Sequence, residues 1–200
     1  MEGEPLMTQR IVVFDLETQR SFDEVGGREH IARLGVSLAV TYDYADRAFH
    51  VYHAHEVPQL VQALETADVV VGFNVLRFDY LVLAGVLGRP VRPRRTLDML
   101  DDIHRRLGFR VKLDSLAYNT LGIRKSADGL QALQWWREGR IDLIRDYCMQ
   151  DVDVTRRLYE FGRDNGYVLY WDRFTRSKKR VPVNWRLFGG RPSRQMGIIV

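Results

Sequence analysis

The sequence has little of what marks a secreted, membrane-spanning or disordered protein. Cys148 is the single cysteine among 200 residues, so an internal disulfide is excluded. No apolar run approaches the ~20 residues that span a bilayer, and residues 1–5 lack the basic and apolar regions of a secretory signal. Hydrophobic residues make up 46% of the chain and charged residues 28%, which excludes disorder as its main state. We therefore expect a soluble cytoplasmic protein without a membrane partner.

Acidic residues are scarce toward the C-terminal end. Residues 171–200 hold 8 Lys and Arg and 1 acidic residue, a local charge of +7, whereas residues 1–170 hold 22 basic and 25 acidic residues, or −3. Such asymmetry suits a polyanionic partner such as nucleic acid, although a solvated charged tail has the same composition. Charge alone does not decide between these interpretations.

Strand-like and helix-like patterns alternate along the chain. Apolar and β-branched runs predict strands near residues 10–16, 33–42, 48–53, 68–72 and 96–99. Helical spacing predicts helices near residues 57–67, 74–87, 99–107, 113–121, 128–137 and 140–162. The first three strands follow one another as a meander and helices separate the later ones, so we expect one α/β domain with a mixed sheet.

The last part of the chain departs from this pattern. Two alternating apolar segments flank a basic segment at 175–180, which predicts a β-hairpin. Its neighbours Tyr170, Trp171 and Trp185 offer rings for stacking on bases, but the same rings suit packing on the domain. We expect a single domain over residues 1–200, with a leader at 1–9, a core at 10–163, the hairpin extension at 164–187 and a flexible tail at 188–200.

The first candidate functional motif lies at the end of the first strand. Four apolar residues at 11–14 lead into Asp15 and Glu17, two acids separated by one residue. Alternate residues of a strand share a face, so both carboxylates point the same way. At ~4 Å and an effective dielectric of ~20 they would repel by roughly 4 kcal/mol, a cost that a bound cation removes. The pair indicates a cation site, or it marks where the strand leaves the core.

Two later segments offer further acids. Asn74 can cap the helix that follows it, and Asp79 lies beside the apolar stripe of that helix. On the long helix, Tyr147 and Asp151 stand at positions i and i+4, so the phenol and the carboxylate can reach one site. Each of these residues alone also suits an ordinary boundary position. Cys148 lies on the neighbouring apolar stripe, which predicts a small buried residue and not a nucleophile.

In this order, the three motifs resemble those of the DEDDy exonucleases, the ribonuclease H-like group that includes polymerase proofreading domains. Each motif is complete: Asp-x-Glu at Asp15 and Glu17, Asn-x-x-x-Phe-Asp at Asn74, Phe78 and Asp79, and Tyr-x-x-x-Asp at Tyr147 and Asp151. The resemblance covers roughly residues 10–163 and looks closest to the stand-alone prokaryotic members. It implies a ribonuclease H-like fold with a mixed five-stranded sheet flanked by helices, to which the hairpin is added.

The resemblance also implies a 3′–5′ exonuclease that releases nucleoside monophosphates from single-stranded DNA or RNA by a two-metal-ion mechanism. Asp15 would bridge both cations, Glu17 and Asp151 would complete one site, Asp79 would serve the other largely through water, and Tyr147 would orient the attacking water. Oxygen ligands favour Mg²⁺ or Mn²⁺ over Zn²⁺. The residues implied near the terminal nucleotide are Leu16, Thr18, Asn74 and Phe78.

Two other functions share these features. A non-catalytic nucleic-acid-binding accessory module would keep the fold without chemistry, and a structure-selective endonuclease would keep the metal site but admit its substrate differently. The complete set of acids together with Tyr147 argues against pure binding. No motif specifies the sugar of the substrate or names a protein partner such as a helicase or a polymerase.

Overall fold

The structure, a computed structural model, describes residues 9–124 and 129–186. The predicted leader up to residue 8 and the predicted tail at 188–200 therefore lie outside the described residues. The strands are β1 (Ile11–Thr18), β2 (Val36–Asp43), β3 (Ala48–His53), β4 (Val69–Gly72), β5 (Thr96–Asp98), β6 (Tyr167–Asp172) and β7 (Ser177–Pro182). The helices are α1 (Phe22–Val25), α2 (Val57–Thr66), α3 (Asp79–Leu87), α4 (Met99–Leu107), α5 (Leu113–Leu121), α6 (Gly129–Arg137) and α7 (Ile141–Asn165). Within these ranges, no helix combines the length and the apolar character needed to cross a membrane.

The central strand of the main sheet is β1, in the order β3–β2–β1–β4–β5. The strand β2 pairs antiparallel with both β1 and β3, whereas β4 runs parallel to β1 and β5 runs parallel to β4. The parallel strands β4 and β5 are connected through α3, since parallel neighbours need a crossover. This mixed five-stranded sheet with flanking helices and a separate two-stranded hairpin confirms the predicted fold class.

Side-chain alternation along β1 divides the core into two layers. Val12 and Phe14 pack in the layer that contains α2 and α3, whereas Val13 packs in the layer that contains α7. A strand covered on both faces needs apolar residues at every position, which explains the continuous apolar run. Asp15 and Glu17 continue the alternation from Val13, so they lie on the α7 face of the sheet.

The largest departure from the predicted elements follows β4. The helix predicted over 74–87 begins at Asp79, so the prediction that Asn74 caps it is wrong. Asn74 has a φ of +71°, and its Oδ1 accepts a hydrogen bond from Arg110 at 2.6 Å. Leu76, which a helix over 74–87 would place on its buried apolar stripe, is 44% exposed. The apolar spacing of a helix continues through this turn, so spacing alone placed the helix start too early.

The connection between β1 and β2 holds a short element that the sequence patterns did not predict. Ser21 and Glu24 form a capping box: the Ser21 N–H donates to Glu24 Oε2 at 2.7 Å, and the Glu24 N–H donates to Ser21 Oγ at 3.3 Å. This reciprocal pair begins the one-turn helix α1. The Ser-x-x-Glu spacing was the available signal, but no apolar run followed it.

The predicted hairpin of β6 and β7 is present, but the basic segment at 175–180 that was expected between its strands lies mostly within β7, which begins at Ser177. The hairpin is joined to helices of the domain. Thr120 of α5 exchanges hydrogen bonds with Leu169, accepting from its N–H at 2.9 Å and donating to its carbonyl at 3.1 Å. Trp185 is fully buried, and its Nε1–H donates to Asp102 Oδ2 at 2.9 Å. A Cβ at Gly162 would lie 2.3 Å from the Trp185 ring, so the glycine makes room for it. For Trp185, packing on the domain is the correct interpretation.

Candidate active site

The carboxyl end of β1 brings together the first group of polar atoms. One ligand atom each from Asp15, Glu17 and Cys148 lies within 4.8 Å of the others. The register between β1 and β2 shifts between Glu17 and Thr18, so regular pairing is interrupted directly after the second acid. Bulges of this kind occur next to active sites because they redirect side chains and end strand pairing. The two acids share one face, as the alternation requires.

Asp79, the first residue of α3, is buried at the same end of the sheet. Its carboxylate accepts a hydrogen bond from the backbone N–H of Leu16, beyond the last paired residues of β1 and β4. Its Oδ1 meets no hydrogen-bond donor among the described residues. Burial, together with the nearby charge of Asp98, raises the pKa of Asp79 to about 7. A buried carboxylate oxygen without a donor suits a cation or a proton.

A second buried acid shapes the turn before Asp79. Asp98 ends β5 beside Gly72 of β4, and its carboxylate accepts from the N–H groups of Asn74 at 2.8 Å and Leu76 at 3.0 Å. It also accepts from the first N–H groups of α4, which it caps. A Cβ at Gly72 would lie 2.3 Å from the Val75 side chain, so the turn needs glycine there. Asp98 therefore fixes the path of the chain into α3.

The helix α7 supplies the remaining predicted groups. Tyr147 and Asp151 are both buried one turn apart, and the Tyr147 hydroxyl donates a hydrogen bond to the Asp151 carboxylate. The Trp135 ring packs edge-on against Tyr147, with ring centroids 6.1 Å apart. Burial and the charges of Asp151, Glu17 and Asp15 raise the pKa of Tyr147 far above its usual value. The phenol thus stays protonated and remains a hydrogen-bond donor.

Cys148 shows that the acids converge. Its thiol is fully buried and donates to the backbone carbonyl of Asp15 at 3.5 Å. Burial raises its pKa well above the ordinary value, and the charges of Asp15, Glu17, Asp151 and Asp79 act in the same direction. Four carboxylates from one strand and two helices therefore lie within electrostatic reach of one buried sulfur atom. This environment agrees with the prediction that Cys148 is buried and unreactive.

A cleft of about 660 Å³ opens beside the acidic group. Glu17 lines it together with Leu16, Thr18 and Phe78, three of the four residues that the resemblance implies near the terminal nucleotide. Asn74 is not among the lining residues and instead contacts Arg110. The volume of the cleft lies within the range of about 300–1,000 Å³ that is typical of ligand sites.

The sequence patterns did not identify several residues of this region. Arg20 and Arg28 line the cleft, and the Arg28 guanidinium lies 4.8 Å from the centroid of the Phe22 ring. Phe22 in turn packs edge-on against Phe78, with centroids 6.1 Å apart. These residues come from the polar connection after β1, where no spacing pattern distinguished them. Asp98 was also missed, although an acid between a short strand and a helix is the available signal for a cap.

The fold and the site define a class of protein, an α/β domain with acidic residues at the carboxyl end of its central strand. The structure resembles that of the family B DNA polymerase from the hyperthermophilic archaeon Pyrobaculum calidifontis, with a TM-score of 0.60 and 21% sequence identity. The match covers 81% of this chain and 25% of the polymerase chain, so this chain spans about a quarter of that protein's length. At this identity the likeness concerns the fold.

Residues 5–161 match the model of a 3′–5′ exonuclease family, and the chain belongs to that family. It is accordingly a nuclease, a hydrolase that acts on phosphodiester bonds of nucleic acid. Exonuclease domains of this family use divalent metals. A search of curated proteins gave no match to the chain.

Proposed function

We propose that this chain removes nucleoside monophosphates one at a time from the 3′ end of single-stranded nucleic acid. Asp15, Glu17, Asp79 and Asp151 would hold two Mg²⁺ or Mn²⁺ ions, and Tyr147 would orient the attacking water. The observation that carries this proposal is the group formed by Asp15, Glu17 and Cys148 at the carboxyl end of the central strand, with the buried carboxylates of Asp79 and Asp151 within electrostatic reach of the same thiol. Pure binding has no use for such a cluster, because repulsion among the acids destabilises the empty site.

The ligand chemistry fits hard divalent cations. The donors are carboxylate oxygens, which Mg²⁺ and Mn²⁺ prefer. The one soft atom within the cluster, Sγ of Cys148, donates to the Asp15 carbonyl and has a pKa raised by burial, so it stays a thiol and a poor ligand. Two divalent cations, when bound, would polarise the phosphate and supply a hydroxide-like nucleophile at neutral pH. Asp79 Oδ1, which meets no donor among the described residues, supports this assignment.

Tyr147 suits the positioning of a water molecule. Its ring is held against Trp135 and its hydroxyl is held by the bond to Asp151, so the phenol oxygen has a defined place. A protonated phenol that already donates to a carboxylate can still accept a hydrogen bond through its oxygen. Such a group orients a nucleophilic water without removing its proton.

The cleft beside Glu17 suits a single terminal nucleotide. Leu16 and Phe78 offer apolar contacts for the base and the sugar, whereas Arg20 and Arg28 bring positive charge for phosphate. A base that enters such a cleft must leave its stack and its pairing partner, which favours single-stranded ends. The preference for single strands rests on this argument.

One time course separates the proposed function from its alternatives. Single-stranded DNA and RNA labelled at the 5′ end are incubated with the protein in Mg²⁺, in Mn²⁺ or with a chelator. We expect labelled strands that shorten stepwise from the 3′ end, together with mononucleotide products and no reaction in chelator. Internal fragments would indicate an endonuclease, and unchanged substrate would indicate a binding module.

The metal-site assignment is tested with paired substitutions on the same elements. Asp15→Asn and Asp151→Asn should each lower the rate by at least about 100-fold, since each removes a proposed metal ligand. Asp146→Asn changes an exposed acid of α7 that pairs with Arg145, and it should stay within about twofold of the wild type. Full metal-dependent hydrolysis by Asp15→Asn would overturn the assignment. Thermal unfolding of each variant checks that the fold is retained.

A further inference from the structure

A second pocket, of about 420 Å³, shares no lining residue with the acidic cluster. It lies between residues 108–112, which join α4 to α5, and the tip of the β6–β7 hairpin. Its walls carry three exposed rings and three cationic side chains. The rings are Phe109, Trp171 and Phe174, and the cations are Arg110, Lys112 and Arg173.

The rings are held toward solvent by ordered structure. Phe174 is 99% exposed, and Trp171 and Phe109 are 46% and 48% exposed. The turn that carries Phe174 is closed by Asp172, whose Oδ1 accepts from the N–H of Phe174 at 2.8 Å and of Thr175 at 3.2 Å. A large ring left in water contributes nothing to the core. The turn of the hairpin therefore presents the Phe174 ring to solvent.

The charge of the pocket is positive. Arg110, Lys112 and Arg173 face a single lining carboxylate, that of Asp172, and Lys179 pairs with that carboxylate. Within the described part of the chain, Lys112 and Arg173 have no carboxylate at ion-pair distance. Their charges therefore remain available to an anionic ligand.

The pocket adjoins the catalytic end of the sheet through Arg110. This side chain lines the pocket and also donates to Asn74 Oδ1 at 2.6 Å. Asn74 starts the turn that leads to Asp79, and Asp98 holds that turn. Arg110 therefore places the pocket next to the turn that leads to Asp79.

We propose that this pocket binds the upstream nucleotides of a single-stranded substrate, with bases stacked on Phe174 and Trp171 and phosphates against Lys112 and Arg173. Rings combined with cations along a groove are what sequence-tolerant binding of a single strand requires, because every base has a face to stack and every nucleotide carries a charge. An apolar protein partner would not need the cations. The inference rests on the proposed function, since it takes the strand from that active site.

The test compares oligonucleotides of two lengths by fluorescence anisotropy in chelator, so that no hydrolysis occurs. Phe174→Ala should weaken binding of a strand of about 12 nucleotides by about 10-fold and of one of about 4 nucleotides by less than about twofold. Phe174→Tyr keeps the ring and should bind both lengths as the wild type does. Leu81→Ala, at an exposed apolar residue of α3, is the control and should change neither affinity.

Salt dependence tests the cations separately. Each phosphate contact that is lost should lower the slope of log affinity against log salt by about 0.7 for a single strand. The double variant Lys112→Ala and Arg173→Ala should therefore lose about 1.4 from the slope measured with the longer strand. An unchanged slope would show that these side chains touch no phosphate and would overturn that part of the inference.

A mononucleotide substrate distinguishes failure of this inference from failure of the proposed function. The 4-nitrophenyl ester of thymidine 5′-monophosphate occupies the terminal site alone, and the wild type and Phe174→Ala should hydrolyse it equally. If the wild type degrades neither this ester nor the oligonucleotides, the proposed function fails. If it degrades both while Phe174→Ala binds the longer strand as tightly as the wild type, the pocket inference is overturned and the function stands. If Phe174→Ala loses affinity equally for the shorter and the longer strand, the inference is overturned as well.

Discussion

At the scale of single residues, Tyr147 combines a proposed role in catalysis with a packing contact of its ring. Its hydroxyl donates to Asp151 while its ring packs against Trp135, and burial beside three carboxylates keeps the phenol protonated. In the proposed function, the residue holds a hydrogen bond in a fixed place. A role in orienting water predicts a change in turnover without a change in metal binding.

Tyr147→Phe should lower kcat by about 100-fold, because the substitution removes only the hydroxyl that orients water. KM and metal affinity should stay within about twofold, as measured by steady-state kinetics and by calorimetric titration with Mn²⁺. Tyr118→Phe, at an exposed tyrosine of α5, is the matched control. A variant that instead loses metal affinity would assign Tyr147 a structural role.

The buried carboxyl of Asp79 predicts how the metal-free protein responds to pH. Burial raises its pKa to about 7, above the ordinary value of 3.8, so the folded state holds the proton more tightly than the unfolded state. This contribution to stability is complete below about pH 4 and is lost as pH rises through about 7. One pKa unit is worth about 1.4 kcal/mol, so about 4 kcal/mol is the upper bound of the effect.

Urea unfolding in chelator at about pH 5 and about pH 8 measures this effect. The wild type should lose stability between the two pH values, whereas Asp79→Asn should lose about 1–3 kcal/mol less, because its amide has no charge to bury. Comparing the two proteins cancels the contribution of every other titrating group to the change in stability. If stability depends equally on pH in the wild type and in Asp79→Asn, Asp79 does not cause the effect.

At the scale of elements, Asp98 joins β5, α4 and the turn that leads into α3. Its buried carboxylate accepts hydrogen bonds from backbone N–H groups of that turn and of α4. Asp98→Asn replaces one acceptor oxygen with an NH₂ group that faces N–H donors. Two donors that face each other in a buried place destabilise the fold by about 1–3 kcal/mol.

The prediction for Asp98→Asn is a loss of stability together with a loss of activity, since the turn it holds leads to Asp79. Urea unfolding and the oligonucleotide assay measure the two effects. Asp101→Asn changes an acid of the same helix whose side chain pairs with Arg105 at the surface, and it should alter stability by less than about 1 kcal/mol. Full activity of Asp98→Asn at wild-type stability would contradict the positioning role.

At the scale of the whole molecule, we predict that folding and metal binding are coupled. The fold brings four carboxylates from β1, α3 and α7 within electrostatic reach of one thiol, where their mutual repulsion would oppose folding until a cation neutralises it. The unfolded chain holds no such site. Divalent cations should therefore stabilise the folded protein in proportion to their affinity.

Saturating Mn²⁺ should raise the free energy of unfolding, by about 2.7 kcal/mol at a free concentration 100 times Kd. Thermal or urea unfolding with and without the cation measures the shift, and a chelator should reverse it. Asp15→Asn should show a much smaller shift, because it lacks the proposed bridging ligand. An equal shift in this variant would place the stabilising cation elsewhere.

Much of the fold was predictable because it depends on local periodicity. The predicted bounds of β3, α4 and α5 agree with the structure, and the apolar run at 11–14 lies in β1, as predicted. The start of α3 was not predictable in this way. Its position depends on Asp98, whose carboxylate is 24 residues from Asn74 in the chain and captures the N–H groups of the preceding turn.

The amino-acid sequence by itself determined which groups share a face within each element. Asp15 and Glu17 lie together because a strand repeats every second residue, and Tyr147 and Asp151 lie together because a helix returns after about four residues. These relations need only the local backbone. The assignment of these four residues and Asp79 to one site came from the resemblance of the three motifs to the DEDDy exonucleases.

Only the tertiary structure decided that these elements meet. The packing of α7 on the Asp15 face of β1, the burial of Asp79 at the carboxyl end of β1, and the contact between Arg110 and Asn74 join residues far apart in the chain. Such contacts follow from strand order, crossovers and side-chain hydrogen bonds over long separations, which local spacing does not encode. The grouping of four carboxylates within electrostatic reach of one buried thiol is therefore a property of the folded molecule.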